Sequence, residues 1–244
     1  MFSFKHTTFA SMIKILTLYF LSILSLHAQD HLNSWSRITF LKNFSKSFNT
    51  SIEFQHRRQN NFASDNPFDK NLMNSFRIWN TISLSKKTNI SISPFAVFRN
   101  FTIIESIDES KKSAITEYRF AGTFDVSIPI SKKWSLSNRA GIEYRVYDIA
   151  NPNQIRIRNR IGIKYQWHDS KQQIYIFEEP FITLKGYMDS QHIYDHNRIG
   201  ALYINQLTEN IKLEAGYIYI DRLIRNHTES IDESNFILNL TLQI

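Results

Sequence analysis

Residues 154–167 read QIRIRNRIGIKYQW. Ile155, Ile157, Ile161, Ile163, Tyr165 and Trp167 share one parity, broken only by Asn159. Gln154, Arg156, Arg158, Arg160, Gly162, Lys164 and Gln166 share the other. Successive side chains of a strand point to opposite faces, so the stretch reads as a strand with one apolar and one cationic face.

The same parity returns on both sides of it. In residues 134–147, Trp134, Leu136, Asn138, Ala140, Ile142, Tyr144 and Val146 oppose Ser135, Ser137, Arg139, Gly141, Glu143, Arg145 and Tyr147. In residues 117–128, Tyr118, Phe120, Gly122, Phe124, Val126 and Ile128 oppose Glu117, Arg119, Ala121, Thr123, Asp125 and Ser127. Residues 48–58 alternate likewise, and so do residues 235–244, where Ile237 breaks the polar set. Weaker strands are expected near 72–84, 90–101, 174–183, 197–206 and 211–220, each blurred by residues of the wrong polarity. Trp35 to Leu41 looks extended but short.

The connections alternate in length. Short ones fall at 85–89, 129–133, 168–173 and 207–210, and longer ones at 59–71, 102–114, 148–153, 184–196 and 221–234. Short turns on one rim and long loops on the other are the habit of transmembrane barrels, with the long loops outside the cell.

The N-terminus carries Lys5, His6 and Lys14 before an apolar run from Ile15 to Leu24, then Ser25, Leu26, His27 and Ala28. This reads as a cleaved signal peptide, residues 1–28, because a largely apolar run of ten residues falls short of the roughly 20 that a membrane helix needs. Export to the outer membrane of a Gram-negative bacterium is the corresponding expectation.

Composition narrows the class. The chain is 42% hydrophobic and 14% aromatic, which argues against disorder, while its mean hydropathy is slightly negative, which argues against a bundle of membrane helices. Removing residues 1–28 takes away Lys5 and Lys14 and leaves 27 Lys and Arg against 22 Asp and Glu, a net +5. The basic residues are interleaved along strands, which fits a water-filled interior better than a nucleic-acid surface, and no nucleic-acid partner is expected. The absence of cysteine excludes disulfides and thiolate chemistry.

The fold expected is therefore an all-β, antiparallel transmembrane β-barrel over residues 47–244. Even strand numbers are the bacterial rule, so ten strands are expected, with residues 29–46 as an N-terminal lead segment and both barrel termini on the short-turn rim. Twelve strands are the alternative, should the lead segment and one further strand join the wall. A secreted soluble barrel with its apolar face inward is the other reading of the same alternation. Two features weigh against that reading. A closed barrel of this size encloses more space than inward apolar side chains fill well, and the polar faces carry opposite charges, such as Glu117 with Arg119.

The early Trp35, the strand Glu143, Tyr144, Arg145, the following Arg156, Arg158, Arg160 row and the late Gly216, Tyr217 together resemble the outer-membrane barrels grouped as domain of unknown function 2490. The resemblance covers most of the mature chain and implies a barrel without an assigned activity. Residues 235–244 also resemble the C-terminal strand read by the outer-membrane insertion machinery, which with outer-membrane lipid makes the expected partners.

A lumenal charge cluster is expected from Glu117, Arg119, Asp125, Glu143, Arg145, Arg156, Arg158, Arg160 and Lys164. It reads either as a salt-bridge ladder that stiffens the wall or as an anion-selective constriction. Trp134 and Trp167, at strand ends beside short turns on the apolar face, are expected in an interfacial girdle.

No catalytic residue, metal or cofactor is expected. His168 lies in a short turn, and His192, His196 and His227 lie in long loops where exposure is the default. His56, near the outer end of its strand on the lipid-facing parity, is the one histidine placed as a lipid hydrolase would place it. No serine with a recognisable flanking motif accompanies it, so a barrel enzyme acting on lipid or cell-surface substrate stands as the alternative.

Overall fold

A computed structural model describes residues 31–148, 153–167, 171–185, 193–223 and 230–244; the segment read as a signal peptide lies outside them. The described chain is a meander of eleven strands: β1 His31–Asn43, β2 Phe48–Gln59, β3 Lys70–Ser83, β4 Thr88–Asn100, β5 Ile115–Pro129, β6 Trp134–Tyr147, β7 Gln154–Gln166, β8 Gln172–Lys185, β9 Tyr194–Gln206, β10 Ile211–Leu223 and β11 Ser230–Gln243. One 3-10 turn, Glu109–Lys111, interrupts the β4–β5 loop. Each strand pairs antiparallel with the next, and β1 closes the barrel against β11 in parallel, from His31 beside Glu233 to Leu41 beside Gln243.

This count corrects both sequence expectations, ten strands and twelve. Within the expected lead segment, residues 29–46, His31–Asn43 forms a wall strand bonded on both edges. An odd meander leaves its first and last strands running the same way, so closure is parallel and leaves no open edge. The termini consequently sit on opposite rims. His31 lies on the long-loop rim, and Ile244 lies on the short-turn rim, where its N–H donates to the carbonyl of Leu41.

Strands of 12 to 15 residues, tilted as barrels require, rise roughly 30 Å, the thickness of a hydrocarbon core. The expected alternation is realised. Ile38, Phe54, Phe120, Phe124, Ile142, Ile157, Ile161, Phe236 and Leu238 are exposed on the outer wall, while Glu117, Glu143, Arg156, Glu179, Glu233 and Asn235 are buried inside.

The interior is not polar throughout. Trp35, Tyr175, Phe177, Leu202, Ile218, Ile220 and Ile237, from β1 and β8 to β11, form an apolar cluster inside the barrel. Glycine makes room for it. A Cβ on Gly200 would stand 2.7 Å from Cε1 of Phe177, and one on Gly216 would meet the Ala201 carbonyl and, at 2.8 Å, Cα of Leu202. The cluster explains the blurred parity of β8 to β10, whose strands are apolar on both faces.

Candidate functional site

The remaining interior is lined by charge. Across the β6–β7 ladder Glu143 stands opposite Arg156, which donates to its Oε2 from Nη2 at 2.6 Å and from Nε at 3.1 Å. Arg77 of β3 at 3.6 Å, Arg158 at 3.8 Å and Arg119 at 3.9 Å surround the same carboxylate. A second carboxylate, Glu179 of β8, has Arg160 at 2.8 Å, Arg158 at 3.8 Å and Arg198 at 3.9 Å. A third, Glu117, receives Arg119 and Arg145, both through Nε. Asp195 pairs with Arg156 at 3.0 Å. Buried ions need such partners, because an isolated charge away from water costs several kcal/mol.

Each residue expected in the cluster lies inside the barrel, and most are joined. Asp125 pairs with Arg139 rather than with the central row. Lys164 stands apart, its Nζ 5.2 Å over the Tyr175 ring. Sequence reasoning missed Arg57, Arg77, Arg198, Glu179 and Asp195. Glu178 and Glu179 are adjacent, so one carboxylate goes to each face, and only the register of β8 says which points in.

Aromatic rings hold the guanidiniums in place. The Arg119 carbon lies 3.7 Å from the centroid of Phe98, Arg57 lies 3.5 Å from that of Trp35, and Arg198 lies 4.4 Å and Arg156 4.9 Å from that of Phe181. Stacking of this kind stabilises a cation without neutralising it. Among the described residues no carboxylate lies within ion-pair distance of Arg57, whose one side-chain hydrogen bond goes to Gln55 at 3.2 Å.

These groups border an interior space of about 1350 Å³ that is lined at one end by Lys86 and Lys171 of short turns and at the other by Glu105 and Lys112 of the β4–β5 loop. That loop folds over the mouth: Gln59 donates to the Thr102 carbonyl at 2.9 Å and accepts from the Ile104 N–H at 3.2 Å, with Ile104 buried. Among the described residues, 17 Lys and Arg and eight Asp and Glu line the space. Glu117 and Glu179, fully buried beneath the arginines, raise the acids to ten and leave a cationic excess of seven.

Outside, Trp134 and Trp167 are exposed near the short-turn rim and belong to one aromatic chain, Trp134 to Tyr165 at 4.7 Å, Tyr165 to Trp167 at 5.3 Å and Trp167 to Tyr203 at 6.4 Å. His196, expected in an exposed loop, is corrected to a buried position in β9, stacked on Phe181 with centroids 4.0 Å apart. His168, His192 and His227 lie outside the described residues. His56 faces outward as expected, Nδ1 2.5 Å from Oδ1 of Asn74.

No curated protein matches the chain. Among solved structures, one described as the NanC porin in a rhombohedral crystal form is similar at 9% identity and a TM-score of 0.48, covering 84% of this chain and 94% of that one. The model of one family, described as "Protein of unknown function (DUF2490)", matches residues 32–229, and the chain belongs to that family.

Proposed function

We propose that the chain is an outer-membrane barrel whose arginine-lined interior passes small anions. The observation that carries this reading is an interior space lined by residues of both rims with, among the described residues, seven more cationic than acidic side chains around it. Excess guanidinium in a confined, poorly solvated passage favours anions over cations. The β4–β5 loop narrows one mouth and so limits solute size.

Placement in a bilayer rests on the outer wall. Its exposed side chains are largely apolar, Glu178 bonded to Asn197 being a mid-wall exception, and the Trp134, Tyr165, Trp167 and Tyr203 rings ride near one rim, where amphipathic rings partition to headgroups. Export by a signal peptide and insertion through residues 235–244 complete the proposal.

The test is reversal potential in planar bilayers under a salt gradient. Wild type is expected to prefer chloride, and Arg158→Glu to lower that preference. A purified, heat-modifiable barrel that conducts at no salt concentration would remove the channel. The second reading, a structural envelope component, would then stand on the same ion pairs, which brace β3, β5, β6, β7 and β8 together.

A further inference from the structure

The outer wall is largely apolar, with short polar pairs such as Glu178 with Asn197 and Asn138 with Asn159, and one longer polar row crosses β1 to β4 near the long-loop rim. Ser36 of β1 stands directly opposite His56 of β2, His56 opposite Asn74 of β3, and Asn74 opposite Arg99 of β4. All four point outward. Directly paired residues on one face have Cβ atoms about 5 Å apart, so three consecutive strands present a serine, a histidine and an amide side by side.

The bonding within the row has a direction. Oδ1 of Asn74 is an acceptor only, so at 2.5 Å it takes the proton of His56 Nδ1. That hydrogen bond leaves Nε2 as the basic nitrogen and fixes the ring plane. The Ser36 hydroxyl is exposed and donates at 3.2 Å to the carbonyl of His56, the residue directly opposite it; attack on a substrate requires that it exchange this acceptor for the imidazole. A β-bulge at Arg57 and Arg58 lies next to His56, a common device for aiming a side chain from a strand.

A groove of about 510 Å³ opens at this point of the outer wall. The polar row forms one end, and Ile38, Phe54, Phe76 and Val97 form the apolar remainder. Phe54 and Phe76 pack edge to face with centroids 5.1 Å apart and make a firm floor. His56 is three residues from the end of its strand and Arg99 one, so a bilayer centred on the wall would bring its ester linkages near the row and its acyl chains along the groove.

We infer that Ser36, His56 and Asn74 form a hydrolase site for the acyl ester of a membrane lipid carrying a phosphate. Ser36 and His56 are the catalytic residues and Asn74 the positioning residue. The acyl chain occupies the apolar groove and Arg99 binds the phosphate. Ser36 Oγ attacks the ester carbonyl carbon while its proton passes to His56 Nε2. The tetrahedral adduct collapses, the bond from carbonyl carbon to alcohol oxygen breaks, and His56 returns the proton to the departing alcohol. Water then attacks the acyl-serine, giving its proton to His56. The serine ester bond breaks, the fatty acid leaves, and Ser36 regains its proton. One ester and one water thus yield one acid and one alcohol.

The site depends on the outer wall meeting lipid, as proposed above, but not on a conducting interior. The experiment uses the full barrel in detergent, checked for heat-modifiable migration, with two substrates in mixed micelles: phosphatidylethanolamine and purified lipopolysaccharide. Labelling by a fluorophosphonate and cleavage of a short-chain p-nitrophenyl ester read the site without any membrane. Fatty acid release from either lipid by wild type, lost at least a thousandfold in Ser36→Ala together with the label, is the expected result. Which lipid is cut identifies the ester source. Asn74→Ala should lower kcat by on the order of a hundredfold at little changed KM, and Asn74→Asp, which keeps the acceptor oxygen, should restore most of it. Folded wild type that neither takes the label nor cleaves any of these esters would overturn the assignment. So would a Ser36→Ala protein as active as wild type.

Discussion

Arg156 grips Glu143 with Nη2 at 2.6 Å and Nε at 3.1 Å, and three further guanidiniums stand within 4 Å of that one carboxylate. Glu143 is therefore the shared counter-ion of strands β3, β5, β6 and β7. Its loss leaves buried Arg77 without an ion pair among the described residues and takes one carboxylate from Arg119, Arg156 and Arg158, which keep Glu117, Asp195 and Glu179.

Glu143→Gln is expected to destabilise the barrel by about 3 to 5 kcal/mol, the scale for removing one partner of a buried ion pair. Urea unfolding in detergent, followed by heat-modifiable migration, measures it. A loss under about 1 kcal/mol would mean that the arginines are solvated well enough to need no counter-ion.

Arg57 should behave in the opposite way. It has no ion pair among the described residues and rests on the Trp35 ring at 3.5 Å. Arg57→Met removes an uncompensated charge at the expense of one cation–π contact, so stability should change by no more than about 1 kcal/mol. Anion preference in planar bilayers should nevertheless fall. A large loss of stability with unchanged selectivity would place Arg57 in the structural network instead.

The parallel seam can be tested by cross-linking. Ile38 of β1 and Leu240 of β11 are paired in register on the outer wall, and the chain has no cysteine of its own. Ile38→Cys with Leu240→Cys should form a disulfide on mild oxidation, since strand neighbours lie within the Cα spacing that a disulfide spans. Ile38→Cys with Leu242→Cys should form far less. Equal yields from the two pairs would point to a loose first strand and a barrel closed without it.

Gly216 and Gly122 offer a matched pair of substitutions. A Cβ at Gly216 collides with backbone, the Ala201 carbonyl and Leu202 Cα, whereas one at Gly122 meets only Ile142 Cγ2 at 3.9 Å. Gly216→Val should abolish heat-modifiable folding and Gly122→Val should leave it intact. Folding yield into lipid vesicles is the measurement, and equal yields would contradict the packing described for β9 and β10.

The aromatic chain near the short-turn rim predicts a depth. With Trp35→Phe and Trp79→Phe removing the interior indoles, emission from Trp134 and Trp167 should be quenched more by lipids brominated near the headgroup than by lipids brominated at the chain end. The reverse order would place both rings in the bilayer centre and displace the barrel along the membrane normal.

Legibility in the sequence followed the chemistry of the two faces. Strands β5, β6, β7 and β11 were readable because their outward residues are apolar and their inward ones largely polar. Strands β8 to β10 were not, because Tyr175, Phe177, Leu202, Ile218 and Ile220 fill the interior with the same residue types that coat the exterior. Glu179 was hidden beside Glu178 for the related reason that adjacent like residues carry no parity. The outer row of Ser36, His56 and Asn74 was out of reach, since its members come from three strands and no local motif joins them.

By itself the sequence determined that the wall is made of strands, which side of each clear strand is apolar, and that one row carries Arg156, Arg158 and Arg160 together. Two-residue periodicity is a property of the local backbone, so any single strand displays it. Closure, register and the far partners belong to the tertiary structure alone. That β1 seals against β11, that Arg77 reaches Glu143 from three strands away and that His56 stands between Ser36 and Asn74 all depend on inter-strand hydrogen bonds between segments distant in the chain. A one-residue slip in any of those pairings would turn the same side chains to the other face.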